Sequence, residues 1–319
     1  MKKIVLFIFL LISISGLLIL YKTISERKYW SSKIKGNNSS IIYISPGLSS
    51  TQLWEYDFKD LGKRLLIDLA NYPNVKVGIY TNPLLVALNH DQDKVALKYI
   101  GTGEGLIIYD RFLNKTLFEL NKDLNSRILV SWSPLDDRLA YSFGLDDLGN
   151  MVSSQQLYVV DFINGSPRET LISSAIIRKQ ITSEPFESFA WSKNGEHLFY
   201  RENSSYKAYQ IKQKNVIDTD LNHLNINLNR ENPKPDIAFK IGHDIRIDSA
   251  GCGSLFIIAC RHSLVINGKK VIDASVIDKV IWNDTLQAYI VEAGDKLYLV
   301  DDSGKKLKLA NGQFVTLIE

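Results

Sequence analysis

Trp132-Ser133-Pro134-Leu135-Asp136-Asp137-Arg138-Leu139-Ala140-Tyr141, followed by Gln156-Leu157-Tyr158-Val159-Val160-Asp161, is the stretch from which the fold can be read. A tryptophan opens it, Pro and Asp interrupt it, and an Asp closes it. Pro and Asp form tight turns, while the branched and aromatic residues around them favour strands. The stretch therefore reads as strand, turn, strand, then a further strand ending at Asp161. The same frame returns along the chain. Trp191-Ser192-Lys193-Asn194-Gly195-Glu196-His197-Leu198-Phe199-Tyr200 aligns with residues 132–141 without a gap. Residues 88–97 fit with Leu88 in place of Trp, and residues 282–290 fit more loosely. The closing pattern recurs as Gln52-Leu53-Trp54-Glu55-Tyr56-Asp57, Leu106-Ile107-Ile108-Tyr109-Asp110 and Lys296-Leu297-Tyr298-Leu299-Val300-Asp301.

The closing Asp falls at 57, 110 and 161, so the first two periods are 53 and 51 residues. Periods of this length made of short strands define six units of four strands each. They cover residues 41–81, 84–121, 127–172 and 187–220, then a weak fifth unit over 244–273 and a sixth over 279–309. Residues 61–69 read as a fourth strand of the first unit rather than a helix turn. The first unit is one strand short, and residues 313–318 remain as a spare that would complete it and remove two exposed edges. Repeated four-stranded units are the blades of a β-propeller, which protects its edges by radial repetition. The fold class expected is all-β, a six-bladed propeller over residues 41–319, preceded by one N-terminal transmembrane helix.

At these motifs the chain resembles TolB-type, WD-like propellers. Trp-Ser-Pro-x-Asp-x-x-Leu-Ala-Tyr followed by Leu-Tyr-Val-Val-Asp carries the resemblance, which spans most of residues 41–310. The motifs specify a blade and carry no chemistry. The resemblance implies a choice among periplasmic scaffolds, regulatory domains of peptidases and some polysaccharide lyases. The chain departs from the first in having no separate α/β domain ahead of the propeller, and from the second in having no hydrolase domain after it.

The first residues read as an address. Lys2 and Lys3 precede an apolar run over residues 4–20, softened by Ser13, Ser15 and Gly16. Seventeen helical residues rise about 26 Å, just under the hydrocarbon thickness of a bilayer. Residues 1–21 are thus expected to be a signal anchor and 22–40 a linker. A cleaved signal peptide with Ser13 and Ser15 before the cut is the competing reading, and it would leave Leu17-Leu18-Ile19-Leu20 as a greasy new terminus. A strict count of flanking Lys and Arg would hold the domain inside the cell, whereas the short Lys-Lys start has the form of an export signal. Export is preferred: a single-pass membrane protein with an extracytoplasmic, periplasmic propeller.

The net charge is +3, and without residues 1–21 there remain 36 basic against 35 acidic side chains. Such balance excludes nucleic acid as a partner, which would need a basic face. Catalytic constellations are not evident. His90 and His197 sit at hairpin turns, no Gly-x-Ser-x-Gly elbow occurs, and Cys252, Cys260, His243 and His262 lack zinc-site spacing. Cys252 and Cys260 are not expected to form a disulfide, because the strand between them holds them about 26 Å apart. Gly101-Thr102-Gly103-Glu104-Gly105 lacks the lysine and helix of a phosphate loop. The recurring Asp57, Asp110, Asp161 and Asp301 read as acceptors for turn N–H groups, and Trp132, Trp191 and Trp282 as packing between blades. Asn114 and Asn283 stand in glycosylation sequons. The Asn-rich stretch 222–235, with Pro233 and Pro235, is a solvated connection or a partner-binding loop.

No catalytic, cofactor or metal residues are therefore assigned and no cofactor is expected. The expected function is a membrane-anchored binding or scaffold propeller, non-catalytic, with a protein or glycan partner. The alternative is a propeller-fold polysaccharide lyase or hydrolase.

Overall fold

The computed structural model describes residues 2–34, 37–46, 51–72, 83–100, 104–121, 126–146, 152–163, 165–178, 189–202, 205–219, 237–238, 244–250 and 261–318. One helix, α1 (Lys2–Lys33), precedes the strands. Residues 22–33, expected as part of a linker over 22–40, continue that helix. Of the apolar run 4–20, side-chain surroundings are described only for residues 13–17, all exposed. Among the described residues no helix is long and apolar enough to cross a membrane.

β1 (Ser40–Pro46), β2 (Thr51–Asp57) and β3 (Gly62–Asp68) open the β-structure. The segment 61–69 is thus a strand followed by a short 3-10 turn at Leu69–Asn71. The next blade is β4 (Pro83–Leu88), β5 (Lys94–Ile100), β6 (Glu104–Asp110) and β7 (Lys115–Asn121). It is followed by β8 (Ser126–Trp132), β9 (Arg138–Asp146), β10 (Val152–Ile163) and β11 (Ser166–Arg178). The fourth is β12 (Ala190–Trp191), β13 (His197–Glu202), β14 (Ser205–Gln210) and β15 (Asn215–Thr219). After β16 (Ile237–Ala238) come β17 (Ile245–Ala250), β18 (Arg261–Ile266) and β19 (Lys269–Ala274). Last are β20 (Ile277–Asn283), β21 (Ala288–Ala293), β22 (Lys296–Val300), β23 (Lys306–Asn311) and β24 (Gln313–Ile318).

These strands form six sheets among the described residues, each antiparallel apart from β16. The fold is a β-propeller in its blades. The fifth sheet has three described strands, β17-β18-β19, and the further strand expected at 254–260 lies outside the described residues. The spare C-terminal strand does complete the first sheet, whose order is β24-β1-β2-β3. Ser40 pairs with Ile318 and Ile44 with Gln313, with a bulge between Ile42 and Tyr43.

The chain divides into two compact bodies. One holds Met1–Pro46, Leu53–Leu65 and Lys234–Glu319, the other Gly47–Gln52 and Leu66–Pro233. In the second body each blade face packs on its neighbour. Ala96, Leu106 and Ile108 meet Ile128, Leu139, Tyr141 and Val160, while Ala140, Leu157 and Val159 meet Leu198, Tyr200 and Tyr209. In the first body Leu264, Ile266 and Ile272 meet Val280, Tyr289 and Val291. Each buried Leu, Ile or Val among them contributes on the order of 1.5–3 kcal/mol by leaving water.

The repeat is enforced by its turns. The residue after the opening Trp or Leu donates its N–H to close the hairpin: Asn89 N–H donates to Lys94 O at 3.1 Å, Ser133 N–H to Arg138 O at 2.8 Å, and Ser192 N–H to His197 O at 2.9 Å. A second bond ties each hairpin to the end of its third strand. Arg111, Phe162 and Ile211 N–H donate to Asp93 O, Asp137 O and Glu196 O at 2.8, 3.1 and 3.0 Å. Four residues after the closing position the backbone is left-handed in four blades, at Leu61 (φ 55°), Asn114 (φ 54°), Gly165 (φ 72°) and Lys214 (φ 55°). Gly and Asn tolerate that conformation, whereas the other two residues strain it. Lys214 is exposed, so Lys214→Gly is expected to raise stability by about 0.5–1 kcal/mol in chemical denaturation. A loss would show that the lysine side chain matters more than its backbone.

Candidate functional site

Among the described residues a polar cluster lies where turns of the second body meet. Asn89 is buried, and its Nδ2 donates to Asp93 Oδ1 at 2.5 Å and to Asp137 Oδ1 at 2.7 Å. The ammonium of Lys94, 5% exposed, bridges the same two carboxylates, 2.7 Å from Asp93 Oδ2 and 2.8 Å from Asp137 Oδ2. Burial would push the Asp93 carboxyl up, but the hydrogen bonds from Lys94 and Asn89 win and hold it below its ordinary value. Burial likewise opposes the Lys94 charge, and the two carboxylates overcome it and raise its pKa. Next to this pair, Arg138 donates to both Asp161 and Asp136. This cluster joins one blade's hairpin to the next. Its acids and bases pair with one another as an ionic seam, with Asp136 Oδ1 buried and without a hydrogen-bond partner.

The closing aspartates act in the turns. Asp57 Oδ1 accepts from Lys59 N–H at 2.7 Å, and Asp110 Oδ1 from Phe112 and Leu113 N–H at 2.9 and 2.7 Å. Asp301 Oδ1 accepts from Ser303 and Lys305 N–H at 3.0 and 2.8 Å. Asp161 differs, since its carboxylate takes Arg138 instead. Two tryptophans link blades by a hydrogen bond as well as by packing. Trp132 Nε1 donates to Ala87 O and Trp191 Nε1 to Ser131 O, each at 3.1 Å, whereas Trp282 Nε1 donates to Asp284 Oδ1 at 2.8 Å.

The described histidines, His90, His197 and His262, do not converge. His90 is exposed at its turn, and His197 stacks on Phe199 with centroids 5.9 Å apart. His262 Nδ1 lies 2.9 Å from Ser249 Oγ across the β17–β18 ladder, and the adjacent Asp248 is engaged by Arg246. His223, His243, Cys252 and Cys260 lie outside the described residues. Among the described residues no three His, Cys, Asp or Glu side chains gather as a metal site. Asn283 of the second sequon is buried, with Oδ1 accepting from Leu286 N–H at 2.6 Å.

Sequence reasoning missed the junction of α1 with the blades of the first body. Trp30 is 0% exposed and Ile34 is 2% exposed. Both lie in one apolar cluster with Ile41, Tyr43, Tyr56 and Phe58 of the first sheet and with Leu297, Leu299 and Leu309 of the last. Beside them the Tyr29 hydroxyl donates to Asp301 Oδ2, Lys33 Nζ lies 3.5 Å from the same oxygen, and Lys305 Nζ stands 3.7 Å over the Tyr29 ring. Burial first, then the Asp301 hydrogen bond, pushes the Tyr29 hydroxyl up to about 12. Asp301 is fully buried, which opposes its charge, yet the bonds from Tyr29, Ser303 and the Lys305 backbone hold its carboxyl below the ordinary range. The C-terminal turns of the helix are thus part of the blade core, whereas in its middle Ile14, Leu17, Tyr21 and Ile24 are exposed.

The signs of these shifts set a working range. A raised Tyr29 stabilises fully below its unfolded pKa of about 10 and is lost as pH climbs through about 12. A depressed Asp301 stabilises above its unfolded pKa of about 3.9 and is lost as pH falls through its lower folded value. Tyr29→Phe is expected to cost about 1 kcal/mol at neutral pH and nothing above about pH 12. Thermal melts of both proteins across pH would show it, and a pH-independent difference would refute the hydrogen-bond account.

No known protein family matches the chain, and no curated protein does. Among solved structures it is similar to propeller proteins. TolB from Acinetobacter baumannii is 11% identical, with 88% of this chain covering 65% of that one at a TM-score of 0.35. The β-propeller domain of the Trilobed protease from Pyrococcus furiosus is 12% identical, with coverages of 88% and 80% and a TM-score of 0.38. Porphyromonas gingivalis dipeptidyl peptidase 4 is 11% identical, with coverages of 85% and 44% and a TM-score of 0.35. The chain spans less than two thirds of the length of the first and the last of these.

Proposed function

We propose that this chain is a single-pass membrane protein whose six-bladed propeller, outside the cytoplasm, holds a protein or glycan partner near the bilayer and performs no chemistry on it. The observation that carries the reading is the junction at Trp30 and Tyr29. A helix with exposed apolar residues at Ile14, Leu17, Tyr21 and Ile24 that is built into blade core at Trp30 and Ile34 would serve as a rigid stalk. Nine residues from Leu20 to Tyr29 rise about 14 Å, so the blades would stand close to the headgroups. The charged groups support the binding half of the reading, since the hairpin acids and bases are consumed by their own seam.

The experiment is fractionation of membranes bearing the full chain. It should stay with the bilayer through high salt and alkaline carbonate, and cross-linking should recover a partner there. Release of a soluble product beginning near Gly16 would show a cleaved signal peptide instead. The lyase or hydrolase reading has one feature to use, the contact of Ser249 with His262. Turnover of acidic or neutral polysaccharides is expected to be nil. Depletion of substrate that vanishes in His262→Ala would replace the binding reading with the enzymatic one.

A further inference from the structure

Four of the turns that join a third strand to a fourth share one backbone, left-handed at Leu61, Asn114, Gly165 and Lys214. Three of them bury an apolar residue directly after the closing position: Phe58, Phe162 and Ile211 are 1%, 4% and 8% exposed. Polar pairs that face solvent, Lys59-Asp60 and Lys212-Gln213, follow Phe58 and Ile211. The turn at 110–114 is inverted. Arg111 takes the buried place, 4% exposed, while Phe112 and Leu113 stand out at 74% and 57%.

Closing the turn does not require the inversion, since Lys-Asp and Lys-Gln close the same backbone elsewhere. Burying a guanidinium costs free energy, and leaving Phe and Leu in water forgoes it. The tip is nevertheless held firmly. Arg111 donates its N–H to Asp93 O at 2.8 Å and its Nη1 to Gln92 O, and its Cζ lies 5.7 Å from the Phe112 ring centroid. Asp110 accepts the N–H groups of both apolar residues. The apolar surface continues into the next blade. A Cβ on Gly165 would stand 3.9 Å from Leu113 Cδ1, and Phe162 of that turn is bonded to the hairpin on which Leu135 is 55% exposed. Single exposed apolar side chains are ordinary, but two on one fixed tip beside a third make a patch.

We infer that the 110–114 tip is a second membrane contact, which dips Phe112 and Leu113 into the headgroup boundary of an anionic bilayer. This rests on the reading that α1 holds the chain at a bilayer, and it adds a reversible contact made by a different element. Charge selects the occupant. At this end of the second body the acids are largely engaged: Asp93 and Asp137 pair with Lys94, Asp136 and Asp161 with Arg138, and Glu196 with Lys212. At or beside the same turns Lys115, Lys193 and Lys214 are exposed, against Asp91. An apolar tip with lysines on its own and neighbouring turns matches a surface that is anionic outside and apolar beneath. Burial of the Phe and Leu side chains supplies affinity, and the lysines supply selectivity for anionic lipid.

The test uses the full chain reconstituted in vesicles. Cys252→Ser and Cys260→Ser remove its two cysteines, and an environment-sensitive fluorophore is placed on Leu113→Cys or on the counterpart Gln213→Cys. In vesicles of mixed phosphatidylcholine and phosphatidylglycerol the probe at 113 should brighten severalfold and be quenched by spin-labelled lipid. The probe at 213 should do neither, and pure phosphatidylcholine should weaken the response at 113. Phe112→Lys, Leu113→Asp writes the Lys59-Asp60 pair into this turn and should melt where wild type does. If the chain proves to be released as a soluble product beginning near Gly16, flotation of that product with the same vesicles is the readout. The double variant should then lower the partition coefficient about tenfold or more. A dark probe at 113 in every vesicle, equal responses at 113 and 213, or indifference to lipid charge overturns the inference. So does a lower melting temperature of the double variant, which would make Phe112 and Leu113 packing residues. Brightening in detergent that rises with protein concentration would assign the tip to a second copy instead. Retention through alkaline carbonate reports on α1 alone, so either reading can fail without the other.

Discussion

Gly312→Ala is expected to cost about 3–5 kcal/mol, enough to unfold much of a marginally stable domain. Gly312 joins β23 to β24, and its φ of +146° lies in a region that side-chain-bearing residues rarely adopt. Its N–H donates to Asp295 O at 2.7 Å, so the residue cannot simply swing away. A Cβ there would overlap the carbonyl oxygen of Ile44 and lie 3.1 Å from the Tyr43 ring. Ile44 is the residue that pairs with Gln313, so the clash falls on the ladder that joins the last strand to the first. Gly268→Ala isolates the conformational part. Gly268 also has a positive φ, +74°, but a Cβ there meets nothing within 4 Å, and the cost should be only about 1 kcal/mol. Deleting residues 312–319 should be at least as harmful as Gly312→Ala, because it strips β1 of its partner. Urea unfolding of the four proteins would decide it. Similar midpoints for Gly312→Ala and Gly268→Ala would show that the β1–β24 ladder carries little of the stability.

The blades were legible because what makes them is local. The frames beginning at Leu88, Trp132 and Trp191 are aligned by turn residues a few positions apart, and the structure repeats their hydrogen bonds at matching positions. The spare strand at residues 313–318 was legible by counting, since the first unit lacked one strand and the chain had one left. The stalk was not legible. Tyr29 meets Asp301 across 272 residues, and nothing near Tyr29 signals that contact. Lys22, Glu26, Arg27 and Lys28 make that segment look solvated, and only Trp30 and Ile34 are carried into the core. β16 was hidden for another reason. Two residues just past the Asn-rich stretch 222–235 are too few to show alternation, and the sequence reading placed no strand between 220 and 244. Asp161 fitted the closing pattern, yet Arg138 on the neighbouring strand position claimed its carboxylate, a pairing that depends on register.

The ionic seam between hairpins makes a second strong prediction, in which pH separates charge from packing. Lys94→Met keeps much of the side chain's volume and removes its charge. Asp93 and Asp137 would then face each other beside Asn89 with no cation between them. Removing one partner of a buried pair costs about 3–5 kcal/mol, and the lower end applies here because the carboxylates are 22% and 35% exposed. In wild type the depressed Asp93 contributes above its unfolded pKa of about 3.9 and is lost as pH falls through its lower folded value. The raised Lys94 contributes below about pH 10.4 and is lost as pH rises through its higher folded value. The seam is therefore at full strength across the neutral range. In the variant the repulsion reverses the shift on Asp93, so taking up a proton relieves the folded state. The stability gap should accordingly be widest near pH 7 and narrow steadily toward pH 4. Lys94→Arg, which keeps the charge in a larger head, should lose less than the Met variant at pH 7 and show no such narrowing. Unfolding midpoints of the three proteins at several pH values provide the measurement. A gap independent of pH would mean that Lys94 stabilises the blades through its buried methylenes, and that the ion pairs to Asp93 and Asp137 are incidental.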